Sequence, residues 1–99
     1  MSAYCLFQNL EITATEKMQE YVVKVKPITA SYGGEYVVSG GKIEIKEGNW
    51  QPAWPVVIKF PSLQHAQSWY DSDEYRPLKE LRKSAGKFSA VFIEGIEGQ

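Results

Sequence analysis

The chain is short of the residues from which many catalytic and metal sites are built. Its 99 residues include one cysteine, Cys5, and one histidine, His65. A single cysteine excludes an internal disulfide and any multi-cysteine metal site. An excess of one charge is missing too, since 11 basic residues stand against 12 acidic ones, for a net charge of -1. The lysines and arginines are scattered, so no electrostatic case exists for nucleic acid or for an anionic membrane. No apolar run approaches the ~20 residues needed to cross a bilayer, and the first residues lack the basic-then-apolar pattern of a signal peptide. With the free thiol, this points to a cytoplasmic setting. Repeats, linkers and low-complexity segments are absent, and residues 1–99 read as a single domain. A chain of this size buries about two thirds of its unfolded surface, enough for a core with little stability to spare.

Recognisable catalytic motifs are equally scarce. There is no serine–histidine–carboxylate arrangement, no metal-ligand spacing and no phosphate-cradling glycine loop. The catalytic residues, if any, are unknown from sequence, and neither a cofactor nor a metal is expected.

What the chain does have is clear patterning. The stretch Glu35–Pro61 reads as a long hairpin, two strands joined at Gly48-Asn49-Trp50-Gln51-Pro52. Tyr36 and Val38 share one parity, and Ile43 and Ile45 the other. The change of parity across Gly40-Gly41 predicts a β-bulge, which leaves Lys42–Glu47 as a continuing strand. The competing reading is a tight turn at the two glycines. After Pro55, Val56-Val57-Ile58 is apolar on both parities, as in a strand covered on both faces.

Ala3–Ile12 is a strand, with Tyr4, Leu6, Leu10 and Ile12 on one side and Cys5 and Phe7 on the other. Cys5 reads as a small buried hydrophobe, because no basic neighbour lowers its pKa. Thr13 to Glu16 has the form of a capping box, followed by an apolar stripe of Met18, Tyr21, Val22, Val25, Ile28 and Tyr32. Pro27 inside that stripe predicts a kink or a break, and Gly33-Gly34 predicts the helix end. Ser62 is an N-cap for a short helix carrying Leu63, Ala66, Trp69 and Tyr70. A second capping box, Asp71 to Glu74, opens a segment with the stripe Tyr75, Leu78, Leu81 and Ala85. Phe88–Glu94 is the last strand.

The order β-α-β-β-α-α-β predicts an α+β, ferredoxin-like domain: a four-stranded antiparallel sheet with its helices on one face. The first, third and fourth strands are apolar on both parities, so the uncovered face would expose more apolar area than soluble monomers tolerate. A second copy of the sheet is the simplest cover, which predicts a two-fold homodimer.

The residues Tyr32-Gly33-Gly34, Glu47-Gly48-Asn49-Trp50, Phe60-Pro61-Ser62 and Trp69-Tyr70-Asp71-Ser72-Asp73-Glu74-Tyr75 give the chain a family likeness from Tyr4 to Glu94. It resembles a small bacterial family of unknown function, the one numbered thirteen-thirty. This chain carries Asp73 where relatives tend to have proline, a neutral change at a helix start. The resemblance implies membership of the dimeric α/β-barrel superfamily and so supports the fold and the dimer. It transfers no catalytic residues.

Four side chains are candidates for a ligand pocket. Trp50 stands in the hairpin turn, where core burial is not the default, and either closes over a neighbouring subunit or flanks a pocket. Tyr70 ends an amphipathic helix with a hydroxyl to offer. Arg76 has a fork suited to a carboxylate, though Asp73 and Glu80 are within reach on its own helix. His65 offers an imidazole suited to a general base or a ligand but has no orienting partner in sequence. Trp50, Tyr70 and Arg76 are expected to share one rim. Two functional classes follow. One is a small-molecule binder or cofactor-free enzyme, and the other is a structural or interaction module with a filled barrel. A cavity of roughly 300 Å³ or more lined by polar groups would distinguish the first.

Overall fold

A computed structural model describes residues 1–96. The elements are β1 (Ala3–Ile12), α1 (Thr15–Ser31), β2 (Glu35–Ser39), β3 (Pro55–Phe60), α2 (Leu63–Tyr70), α3 (Arg76–Ser84) and β4 (Gly86–Glu94). They form one four-stranded sheet in the order β2-β3-β1-β4 with every neighbouring pair antiparallel. This is the α+β, ferredoxin-like arrangement that the element order predicts.

Register and alternation decide what each face carries. Cys5 lies opposite Ile58 on one side and Phe92 on the other, and Phe7 opposite Val56 and Ala90. These residues face the helices, where Ala3, Cys5, Phe7, Ile58 and Phe60 are buried. The alternate positions build the other face. There Leu6 sits between Val57 and Val91, and Tyr4 between Lys59 and Ile93. Val91 and Ile93 remain 48% and 53% exposed within the single chain.

The core gathers around Trp69 of α2, which is fully buried. Its ring centre lies 4.4 Å from that of Tyr75, 5.3 Å from Phe60 and 6.1 Å edge-on from Phe7. The indole Nε1 is buried without a hydrogen-bond partner, so ring packing alone fixes its position. One shell therefore joins α2, the turn into α3, β1 and β3.

The helix ends follow the sequence in part. Ser62 caps α2 by accepting from the amide of His65 at 3.1 Å. Gly33 takes a positive φ of 81° and ends α1, while the amide of Gly34 reaches back to the Thr29 carbonyl at 2.9 Å. These are the two returning bonds of a Schellman end, because the Gly33 amide also bonds Ala30 at 3.0 Å. A Cβ at Gly34 would come within 2.5 Å of the Thr29 methyl, so that glycine answers to space, where Gly33 answers to conformation.

Other local expectations are corrected. The Thr13–Glu16 capping box does not form, since Thr13 donates its hydroxyl to the Ala85 carbonyl at 3.2 Å. The amides of Thr13 and Ala14 bond the same carbonyl, so a long-range tie replaces the local cap. Ser72 rather than Asp71 caps the turn into α3, accepting from the amide of Tyr75 at 3.1 Å. Pro27 does not break α1, which is one helix from Thr15 to Ser31.

The largest difference lies in the hairpin. β2 ends at Ser39, and Lys42–Glu47 is not a strand. Gly40 and Gly41 both have positive φ and turn the chain out of the sheet. β2 is an edge strand, and among the described residues the alternating segment beyond it has no neighbour to pair with. A bulge does exist, but at Val37: Tyr36 pairs with Ile58 and Val38 with Val57. That extra residue sends Val38 to the open face and Ser39, opposite Val56, to the helix face.

Candidate functional site

Helix α1 packs mainly beside α3 rather than onto the strands. Along Thr15–Lys26 this leaves a cleft of about 850 Å³ between the helix and the sheet. Phe7, Val56 and Ile58 line it from the two central strands, and Met18, Val22 and Val25 from the apolar stripe of α1. The stripe that predicts the helix therefore serves partly as core and partly as cleft wall. Tyr36 and Ser39 enter the lining from β2, the latter because of the bulge at Val37.

Besides Asn9, Thr15, Gln19, Lys26 and Ser39, three polar features stand in or directly behind this lining. The first is a buried phenol pair, Tyr21 and Tyr75, whose hydroxyls lie 2.8 Å apart. The second is Tyr36, which donates at 3.1 Å to the Thr29 hydroxyl while that group donates to the Val25 carbonyl at 2.9 Å. The third is Arg82 of α3, only 5% exposed yet part of the lining. Its guanidinium lies 5.3 Å from the ring centres of both Phe7 and Phe88. Its charge also acts on the Tyr75 hydroxyl.

Burial raises the pKa of Tyr21, Tyr36 and Tyr75, and the Arg82 charge draws Tyr21 and Tyr75 only part of the way back. The phenols are therefore neutral hydrogen-bonding groups at physiological pH. Burial likewise pushes the Cys5 thiol from 9.0 up to about 12. Each of these groups holds its proton in the folded chain at a pH where the unfolded chain releases it. Stability is thus fully present below the unfolded values and declines with rising pH. Chemical denaturation is expected to show falling stability from about pH 9 upwards, with Cys5→Ala flattening the first part of the decline.

Trp54, Asn9 and Ile12 also line the cleft. Trp54 is 61% exposed and has a φ of 40°, a left-handed conformation costly for a large side chain. The end of β1 imposes it. Asn9 donates through Nδ2 to the Trp54 carbonyl at 3.2 Å and through its amide to Ala53 at 2.8 Å. Gln8 accepts from the Ala53 amide at 3.1 Å. The indole lies against Gly40, where a Cβ would come within 2.7 Å of the ring.

The four candidates from sequence are placed elsewhere. Trp50 is 62% exposed in the loop between β2 and β3. Arg76 is exposed and pairs with Asp73 at 3.0 Å, the local partner its spacing offered. His65 is exposed, with Nδ1 2.6 Å from the Ser62 hydroxyl. Tyr70 packs on Trp69, Tyr75 and Phe92, and it lines a second cavity of about 320 Å³ with Arg82 and Phe88. None of the four lines the larger cleft. Sequence reading missed Arg82, Trp54 and Tyr36 as lining residues. A signal for Arg82 was present, because positions 75, 78, 82 and 85 follow helical spacing and the other three are buried apolar residues. Trp54 carries no comparable signal, since its placement depends on long-range bonds to β1.

The family model described as "Domain of unknown function (DUF1330)" matches residues 2–96. The chain belongs to this family. Among solved structures, it is similar to the RPA0582 protein of unknown function from Rhodopseudomonas palustris, with a TM-score of 0.74 and 14% identity. That match covers 97% of this chain and 83% of the other. The methylated form of RPA0582 gives a TM-score of 0.75 at 13% identity, covering 99% and 84% of the two chains. A "Putative antibiotic biosynthesis monooxygenase" from Nitrosomonas europaea matches at a TM-score of 0.53 and 8% identity, over 99% of this chain and 92% of that one. At these identities the likeness is one of fold. No curated protein matches the chain.

The DUF1330 domain thus presents a mostly apolar cleft with two phenols, the Arg82 guanidinium and the exposed Lys26 in its lining, and neither a carboxylate nor an imidazole. Among the described residues, no group of histidine, cysteine and acidic side chains is arranged to hold a metal ion. No helix among them is long and apolar enough to cross a membrane.

Proposed function

We propose that this protein binds a small organic molecule in the cleft between α1 and the sheet. The observation that carries the reading is the cleft itself, about 850 Å³ and lined by Phe7, Met18, Tyr36 and Val56. That volume lies in the range of small-molecule sites, where a mostly apolar wall and a few polar groups set orientation. A filled interior, the mark of a purely structural module, does not fit it. With no carboxylate or imidazole in the lining, binding is better supported than acid–base catalysis.

Nile red, an uncharged reporter of apolar pockets, tests this reading. Its fluorescence should rise and saturate on addition of wild-type protein. Val22 lines the cleft and is partly exposed, so Val22→Trp is expected to narrow the cleft without disturbing the core. The variant should keep its melting temperature and bind Nile red at least tenfold more weakly. Unchanged binding by Val22→Trp would place the reporter elsewhere.

We also propose that the open face of the sheet is covered by a second copy of the chain in the cytoplasm of a bacterium. The support is the apolar surface of Tyr4, Leu6, Val38, Val57, Val91 and Ile93 opposite the helices. Lys42–Glu47, alternating and unpaired within the chain, suits a strand partner from that copy.

A further inference from the structure

We infer that the ligand of the cleft is an apolar monocarboxylate whose anionic end is held by Arg82. The inference rests on the cleft reading above and adds the chemical class of the ligand.

Arg82 is the one buried cation among the described residues, and its surroundings do not neutralise it. It is 5% exposed, and its Nε is buried without a hydrogen-bond partner. The ion pairs among the described residues are Lys24–Glu20, Lys46–Glu44, Arg76–Asp73 and Lys87–Glu11, none of which involves Arg82. Neither cavity that Arg82 lines contains an aspartate or a glutamate. Its contacts are the faces of Phe7 and Phe88 and the neutral phenol of Tyr75. Aromatic faces and one hydroxyl compensate a guanidinium only in part. A desolvated charge without a counter-ion is costly, and chains retain such a group where something else supplies the opposite charge.

The cavity limits what that something is. A guanidinium presents a planar fork that matches a carboxylate. The other cation of the lining, Lys26, is exposed, and the groups directly around the Arg82 guanidinium are Phe7 and Phe88, so a phosphate or other multiply charged group would lack further donors at that point. One negative charge meets Arg82 where it lines the cleft. The remaining volume, bounded by Met18, Val22 and Val56, takes an aliphatic or aromatic body.

Calorimetry with octanoate, decanoate and naphthalene-2-carboxylate, each beside its primary amide, tests the inference on the wild-type chain. Amide and carboxylate share shape and differ in charge. The carboxylates should bind at least tenfold more tightly than their amides. Arg82→Met, which keeps the apolar stem, should bring each carboxylate down to the affinity of its amide. Arg82→Lys, which keeps the charge without the fork, should retain part of the preference and stands in if the methionine variant does not fold. Equal affinity of acid and amide in the wild type would overturn the carboxylate assignment while leaving the cleft as a binding site. Binding of neither series would overturn both.

Discussion

Trp69→Ala is expected to destabilise the domain by about 3–5 kcal/mol, the range for removing a large buried aromatic side chain. The indole is fully buried against Phe7, Phe60, Tyr70 and Tyr75, so its loss opens a void that α2, β1 and β3 cannot all close. A domain of this length has about 5–15 kcal/mol of total stability, so the loss removes a large fraction of it. Urea unfolding followed by far-ultraviolet circular dichroism measures the effect as a lower midpoint with little change in slope. Since Nε1 has no hydrogen-bond partner, Trp69→Phe should recover much of the loss. A cost below about 1 kcal/mol for the alanine variant would mean that the core is centred elsewhere.

The second large effect concerns the open face. Val57 pairs with Leu6 and Val38 in the middle of that face, away from the helices. If a second sheet covers it, Val57→Asp places an unpaired carboxylate in an apolar interface, at a cost of about 3–5 kcal/mol. A micromolar dimer should then dissociate while the secondary structure of each chain persists. Sedimentation velocity should give twice the 11.2 kDa chain mass for the wild type and the single-chain mass for the variant. A wild type that sediments as one chain at every accessible concentration would remove the proposed partner.

The fold was legible because periodicity and punctuation agreed along most of the chain. β1 runs from Ala3 to Ile12 as the alternation predicts, and α2 starts after Ser62 for the stated capping reason. Two of the failures turn on what lies beside the segment in space rather than in sequence. Thr13 had the right neighbour in Glu16 but found the Ala85 carbonyl. Lys42–Glu47 alternates like a strand yet follows an edge, and an alternating segment without a neighbour forms no ladder.

The site was less legible than the fold. Arg76 and Trp50 drew attention because of their residue type and local setting, and both are exposed. Arg82 differs from Arg76 only in falling on the buried side of α3, beside Leu78 and Ala85. Helical spacing contained that information, but a cation on an apolar stripe reads first as a side chain that curls towards solvent. The cleft itself follows from α1 leaning on α3, a packing choice that no single segment records.

Amide chemical-shift mapping of isotope-labelled wild-type protein with decanoate tests the central claim most directly. The largest shifts are expected at Phe7, Met18, Val22, Tyr36, Val56 and Arg82, whose side chains come together around the cleft. Shifts concentrated at Leu6, Val57, Val91 and Ile93 on the open face, with the cleft residues unmoved, would contradict it.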